Sequence, residues 1–476
     1  MIKVFNTLTR SKEEFVPREK GKVSIYACGI TPYDYAHIGN SRPAVFWDCV
    51  RRFLKYRGFQ VTYIQNFTDV DDKIINRSKQ SGKEPLQLAE EFSRVYLEDL
   101  AKMGVLPADQ FPKVSGHIPE IIEMIRTLVE KGYAYELNGD VYFEVGKFKE
   151  YGKLSGRDLE EMHAGARVEV NVAKKNPMDF ALWKAAKPEE ISWESPWGPG
   201  RPGWHIECSA MSLKYLGTGF DMHGGGEDLV FPHHENEIAQ SEAYSGSFFA
   251  KYWLHNAFVT VKGERMGKSV GNFSTIRDVI ERFSPKVVRF WLVGTHYRNP
   301  ISFGEEELTA AARGLERLEN AKFNWEHLLK QDSVVEDSDQ ELSEIRNAIA
   351  DAKDEFIAGM EDDFNTPQAL AALYDLVREI NRWTQEQEFS LTTSAQNVLK
   401  DAYECLLVLG GEVLGLFGET ENGSTDSAES IEALIASRTQ AKKEKNWALA
   451  DRIRDELKNK GIIIEDTPQG VRWRRE

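Results

Sequence analysis

Residues 23 to 65 of this 476-residue chain carry the pattern that most limits its fold. Val23 to Cys28 alternates and is rich in β-formers, and the loop Gly29-Ile-Thr-Pro-Tyr33 follows. Val45, Phe46, Cys49, Val50, Phe53 and Leu54 then recur at helical spacing until Gly58, and Val61-Thr-Tyr-Ile-Gln65 reads as a second strand. Strand, loop, helix and strand this close together make a βαβ unit. Its crossover is right-handed, and its ligand site lies at the carboxyl ends of the strands. An α/β class follows, and the loop ahead of the first helix is where chemistry is expected.

Further along, residues 80 to 200 mix helical stretches such as Ile118 to Lys131, short strands such as Asp140-Val-Tyr-Phe-Glu-Val145, and a Trp/Pro/Gly-rich run from Trp193 to Trp204. This reads as an insertion, about residues 110 to 200, within a nucleotide-binding domain spanning 1 to 304. Ala257-Phe-Val-Thr-Val261 is predicted as a strand leading into a polar loop, Lys262 to Asn272, with a helix beginning near Ser274. From 305 to 417 the apolar residues step in helical register, as in Leu342, Ile345, Ile349, Ala352 and Phe356, and Thr366-Pro367 suits a cap and a first-turn proline. That segment is a helical bundle. Residues 418 to 430 read as a linker, and 431 to 476 as a small unit of two helices and two short strands.

Charge at first argues against a nucleic-acid partner, because the chain carries −16. The charge is unevenly placed, however. Residues 431 to 476 hold 11 Lys/Arg against 8 Asp/Glu, a local +3 that leaves −19 on the rest. No stretch of about 18 apolar residues could span a bilayer, and the N-terminus lacks the pattern of a signal peptide. A cytoplasmic setting without a membrane partner is therefore expected. Four cysteines are too few for a disulfide scaffold. Cys49 and Cys405 fall on apolar helix faces as core residues.

Several segments have the chemistry of a site. His37-Ile-Gly-Asn40 lies where the first loop enters its helix, and there free backbone N–H groups, the helix dipole, Gly39 and a histidine suit a phosphate. The same residues also make an ordinary capped start. Glu264-Arg-Met-Gly-Lys268-Ser269 is a basic loop that could close over a triphosphate or be a solvated turn. Gly-x-x-x-x-Gly-Lys-Ser/Thr does not occur, and Gly198-Pro-Gly-Arg-Pro-Gly203 falls in the Trp/Pro/Gly-rich run rather than in the turn of a βαβ unit, so the P-loop and dinucleotide enzymes are poor fits. Cys28, Cys208, His233 and Glu237 are dispersed, but two thiols, an imidazole and a carboxylate suit Zn²⁺. They can equally be packed thiols and a helix-capping histidine. His205, three residues before Cys208, is either a ligand or a neighbour of one. In Asp221-Met-His-Gly-Gly-Gly-Glu-Asp228 the glycines, Gly225 among them, would let a nucleotide sugar approach, with Asp228 on a ribose hydroxyl. Asp69, Asp71 and Asp72 either start the next helix or meet substrate.

Taken in order, these segments resemble the class I aminoacyl-tRNA synthetases, and within them the bacterial cysteine-specific type. His37-Ile-Gly-Asn40 is similar to the family's His-Ile-Gly-His signature and Arg265-Met-Gly-Lys-Ser269 to its Lys-Met-Ser-Lys-Ser loop. Further resemblance lies in Tyr26 to Asp34, Gln65 to Lys73, Arg201 to Met211, Phe231 to Gln240, Asp362 to Pro367 and Glu465 to Gly470 with Trp473, which together span nearly the whole chain.

The resemblance implies a Rossmann-like catalytic domain, a tRNA-docking bundle and a C-terminal anticodon-binding unit. It implies one Zn²⁺ held by Cys28, Cys208, His233 and Glu237, and Mg²⁺ accompanying ATP. His37, Asn40 and Lys268 would be catalytic, and Gly39, Gly225, Asp228, Arg265, Lys268 and Ser269 would hold ATP. Thr68 and Trp204 would line the pocket for L-cysteine. The implied reaction is ATP-dependent ligation of cysteine to tRNA(Cys) through cysteinyl adenylate, by a monomer. Zinc would select the thiol, since apolar contacts alone discriminate only about 10 to 200-fold. Asn40, Arg265 and Gly267 depart from the family pattern, and activity is expected to survive them. Two alternatives share the ancestry: a zinc-dependent cysteine ligase acting on a small amine, and a tRNA-binding relative with weakened catalysis.

Overall fold

The computed structural model describes residues 1–157, 174–188, 190–267, 271–331, 342–386, 389–417, 428–459, 462–467 and 470–475. Its centre is a four-stranded parallel sheet built from β1 (Lys22–Ala27), β2 (Gln60–Gln65), β3 (Phe220–Gly226) and β4 (Ala250–Asn256), in the order β4-β3-β1-β2. Helix α1 (Ser41–Tyr56) joins β1 to β2, as the periodicity predicts. Strands β3 and β4 are buried on six of seven residues each, as parallel strands covered on both faces must be.

The insertion is a four-stranded antiparallel sheet, Ala134–Leu137, Asp140–Phe143, Phe180–Ala185 and Gly200–Pro202, with the helix Ile118–Glu130 beside it. Phe143 and Trp183 from this sheet share one apolar cluster with Phe220 and Trp253 of the central sheet. The insertion is therefore fixed to the nucleotide fold by a common core, and Arg201 and Lys184 add ion pairs to Asp72.

Two local expectations shift. The strand predicted over 257 to 261 is broken, because β4 stops at Asn256 and Val259–Val261 belongs to a separate sheet with Glu264–Arg265 and Ile301–Ser302. The carbonyls of Ala257 and Phe258 both accept hydrogen bonds from the Arg42 guanidinium, which takes them out of the main ladder. At Thr366 the cap lies one residue earlier. Asn365 accepts from the backbone of Gln368, while the Thr366 hydroxyl donates instead to the carbonyl of Val293.

Residues 1–322 and 331–417 form one compact unit. Within it, α1 is anchored through Asp48, a fully buried carboxylate that pairs with Arg51, Arg52 and Arg289. Arg289 also donates to the Leu414 carbonyl, so one ion network joins α1 to the end of the bundle. Residues 323–330 and 418–476 form a second unit. Its helices Ala428–Lys443 and Trp447–Asn459 and its hairpin Ile462–Thr467 with Gly470–Arg475 enclose Ile431, Ile453, Leu457 and Ile462. Ala428 to Ser430, read from sequence as linker, already belong to the first of these helices. Among the described residues no helix is long and apolar enough to cross a membrane.

Candidate active site

A cleft of about 330 Å³ opens at the carboxyl ends of the parallel strands, where the βαβ pattern predicts a ligand. Its walls include Cys28 and Trp204 at one end and His37, Asn40, Asp228 and Arg265 at the other. Two glycines set its floor. A Cβ on Gly29 would lie 1.6 Å from the Asn66 carbonyl oxygen, and one on Gly224 would lie 2.2 Å from that of Leu254. Only glycine lets the loop after β1 approach Asn66, and β3 approach β4, this closely, and the Gly224 carbonyl in turn accepts the Cys28 N–H at 3.0 Å.

At the first end, Cys28, Cys208, His233 and Glu237 bring one donor atom each within 4.8 Å of one another. The Cys28 sulfur is 3.6 Å from the Cys208 sulfur, 3.6 Å from His233 Nε2 and 3.5 Å from Glu237 Oε1. A tetrahedral Zn²⁺ with bonds of about 2.0 to 2.3 Å has ligand-to-ligand edges of about 3.3 to 3.8 Å, so the spacing fits that ion. The surroundings fit as well. His233 Nδ1 is bonded to His205 Nδ1 at 2.9 Å, which turns Nε2 towards the cluster, and Glu237 Oε2 is held by His223 Nε2 at 2.8 Å, which turns Oε1 there. His205 is thus placed beside a candidate ligand.

Charge in the cluster is shared among buried groups. The Cys28 thiol is pushed up by burial and donates to Cys208, and this bond is the largest cause that lowers Cys208 to about 6, against burial. Burial opposes a charged His233, but Glu237 and Cys208 outweigh it and raise the imidazole to about 10. Burial likewise opposes ionisation of Glu237, and His223 with His233 overcomes it to hold the carboxylate near 2. A thiolate and a carboxylate are therefore ready without cost, while Cys28 and His233 must release protons to a metal.

At the other end, Ile38–Asn40 forms a short turn that leads directly into α1, with His37 as its cap. Asn40 does not cap forward; its Oδ1 accepts the His37 N–H at 3.1 Å and stiffens the turn. The turn is tied by backbone bonds to the segment after the basic loop, Ile38 N–H to Ser274 O and Ile276 N–H to Ala36 O, each 2.9 Å. The two signature segments, more than 220 residues apart in sequence, thus share one scaffold. Arg265 pairs with Asp228 at 2.7 Å and lies over the Phe258 ring at 3.9 Å, on the rim of the cleft.

Of the residues singled out from sequence, Cys28, His37, Gly39, Asn40, Trp204, Asp228 and Arg265 line this cleft. Cys208, His233 and Glu237 are buried behind Cys28. Trp204, 42 % exposed, lays its ring 4.3 Å from that of His233. Thr68 is buried beneath the loop after β1, its N–H bonded to the Ile30 carbonyl, and does not line the cleft. Gly225 is also buried, packed against Leu229 and His234. Asp71 caps the helix Asp72–Ser81 by accepting from Lys73 N–H, and Asp69 accepts from Ser115, so these acids are structural. Lys268 and Ser269 lie outside the described residues.

Sequence reasoning named His205 but missed three other histidines around the cluster. His223 and His234 make a second possible set with Cys28 and Glu237, and His255 supports His234 at 2.8 Å. The two-thiol set is the better match to a soft, borderline cation. The i,i+3 spacing of His234 and Glu237 was a signal that could have marked this residue.

Residues 14–313 match the family model for the class I (C) tRNA synthetase catalytic domain, 355–418 that for the DALR domain and 424–474 that for the cysteinyl-tRNA ligase anticodon-binding domain. The chain is 55 % identical over 476 residues, all of both chains, to a protein of Carboxydothermus hydrogenoformans named Cysteine--tRNA ligase, and 52 % identical, over 99 % of each chain, to one of the same name from Moorella thermoacetica. The solved Mycobacterium tuberculosis methionyl-tRNA synthetase bound by methionyl-adenylate is 14 % identical with a TM-score of 0.62, over 83 % of this chain and 92 % of that one, a likeness of fold. Parallel sheet, cleft and full-length similarity agree: the chain belongs to the class I aminoacyl-tRNA synthetases, in the cysteine--tRNA ligase family.

Proposed function

We propose that this chain ligates L-cysteine to tRNA(Cys) in two steps within the one cleft. The cysteine carboxylate attacks the α-phosphate of ATP, giving cysteinyl adenylate and pyrophosphate, and a ribose hydroxyl of the terminal adenosine of the tRNA then attacks the acyl carbon, forming the ester and releasing AMP. The observation that carries the reading is the continuity of the cleft from Cys28 to the loop at the N-terminus of α1. A thiol-bearing substrate can touch the cysteine-rich end while its carboxylate reaches the phosphate end.

Cys28, Cys208, His233 and Glu237 would hold Zn²⁺, which supplies a soft Lewis acid that binds a thiolate far better than a hydroxyl. The remaining work belongs to the protein. Trp204 forms a wall beside His233 and limits the size of the side chain admitted. His37 and the positive end of α1 would bind the α-phosphate as charge develops on it, with Lys268 on the leaving pyrophosphate and Mg²⁺ accompanying ATP. Asp228 and Arg265 would close on the ribose and phosphates from the rim. Asn40 keeps the turn rigid through its bond to His37, which supports activity despite its departure from the family signature.

Residues 1–304 would carry catalysis, 305–417 tRNA docking and 431–476, with their +3 charge, anticodon reading by a cytoplasmic monomer. Exchange of labelled pyrophosphate into ATP, with cysteine and with serine, followed by charging of a tRNA(Cys) transcript, tests the reading. Cysteine-dependent exchange that chelator abolishes and zinc restores is expected, with serine at least about 200-fold poorer, beyond the limit of apolar contacts. Equal use of serine would refute metal selection, and exchange without tRNA charging would refute the second step.

A further inference from the structure

Arg42 is the second residue of α1, two positions beyond Asn40, and only 3 % of it is exposed. Its guanidinium makes four hydrogen bonds, all to backbone carbonyls. One nitrogen donates to Ala257 O at 2.7 Å and Phe258 O at 3.0 Å; the other donates to His296 O at 3.0 Å and to Asn299 O. Ala257 and Phe258 form a wall of the cleft next to Gly39 and Asn40. The strand predicted over 257 to 261 is broken at these two residues, and the bonds tie the break to α1.

The charge on this side chain has no direct partner. Among the described residues no carboxylate lies within ion-pair distance of Arg42, and Glu227 acts on it only from further away. Burial is strong enough to lower the guanidinium to about 10. The position compounds the cost, since a cation in the first turn of a helix faces the positive end of the dipole. The other buried arginines of the α1 support behave in the opposite way, Arg289 sitting 2.7 Å and Arg51 2.8 Å from Asp48. An apolar residue would fill the space at lower cost if packing were the only need. A buried cation kept beside a positive helix terminus is stabilised when an anion arrives at that terminus.

We propose that Arg42 is a positioning residue for the nucleotide, one that fixes the Ala257–Phe258 wall against α1 and places an uncompensated positive charge behind the loop that receives the phosphates. The proposal rests on the reading of the cleft as an ATP site. Arg42 itself need not touch ATP; it acts through the wall and through its field.

The test compares wild type, Arg42→Lys and Arg42→Met in cysteine-dependent pyrophosphate exchange, with zinc content and calorimetric binding of ATP and adenosine measured on the same proteins. Wild-type exchange tests the ATP reading separately. For Arg42→Met the KM for ATP should rise about 10 to 100-fold, the range that misplacement of a binding group produces, with cysteine KM and zinc content within about twofold. Arg42→Lys keeps the charge and loses the fork, so it should fall between the two. ATP binding should weaken more than adenosine binding in Arg42→Met, because adenosine has no phosphate to feel the field. Two results overturn the proposal: an unchanged KM for ATP in both variants, or equal losses for cysteine and ATP, which a general structural role would give. If Arg42→Met does not fold, Arg42→Lys decides by the same two criteria.

Discussion

At the thiol end of the cleft, Cys208, His233, Glu237 and the orienting His223 are each 1 % exposed or less, while Cys28 is partly buried on the cleft wall. At the nucleotide end, Arg265 and Asp228 stand on the rim, 54 % and 40 % exposed in their side chains, and the loop continues into residues the structure does not describe. The contrast suits the two tasks proposed for these ends. Telling a thiol from a hydroxyl needs a fixed donor set in low dielectric, where each contact is strong. Admitting ATP and releasing pyrophosphate needs groups that can close and open again. Precision is therefore placed where selection occurs, and adaptability where a large charged ligand must pass.

The sharpest way to break this contrast is Cys208→Ala. Loss of a ligand exceeds the 10 to 100-fold cost of losing a group that merely orients one, so cysteine-dependent exchange should fall more than about 100-fold together with zinc content. Retention of both would show that the thiol end is not a metal site. His37→Ala should lower kcat for exchange about 100-fold, as removal of one preorganised donor does elsewhere, with zinc content unchanged. A change in zinc content would mean the ends are coupled.

His205→Phe sharpens the thiol end alone. Removing the group bonded to His233 Nδ1 should weaken zinc binding by roughly 10 to 100-fold in competition with a chelator, and leave the KM for ATP in place. Acid acts on the support behind the nucleotide end. Burial opposes the charge on Asp48, but Arg289, Arg52 and Arg51 outweigh it and hold the carboxyl at about 2, below its unfolded value of about 3.9. A depressed folded value contributes stability above pH 4 that is lost as pH falls towards 2, about 2 kcal/mol for this group. Asp48→Asn should remove that component from the acid limb of the unfolding free energy, measured by urea titration at each pH. Smallest is Asp228→Asn: an exposed pair is worth about 1 kcal/mol at most, so the KM for ATP should rise no more than about fivefold.

Much of this was legible because it is local. The βαβ unit came from alternation in Val23 to Cys28 and helical spacing from Val45 to Leu54, and both elements formed where periodicity put them. The loop at His37 was marked by its place between strand and helix. The break at Ala257 was not legible, since the carbonyls beside it are bonded by a guanidinium 215 residues away in sequence. Thr366 gave up its cap for the same kind of reason, its hydroxyl being taken by Val293 of another helix. Thr68 was assigned to the substrate pocket by family pattern, but Asn66 and Ile30 hold it under the floor. Net charge misled in its turn, because −16 over the whole chain conceals the +3 of the last 46 residues.

By itself the sequence determined which elements form, which family the chain resembles and which residue types are available for metal and phosphate. Those properties rest on short-range periodicity and on the identity of side chains. Tertiary structure alone decided that Cys28, Cys208, His233 and Glu237 converge, that His205 and His223 aim two of them, and that Arg42 is buried with no carboxylate paired to it among the described residues. Convergence and burial are properties of the sheet order and of the core the insertion shares with it. They set dielectric and distance, the two quantities that turn a list of polar residues into a site.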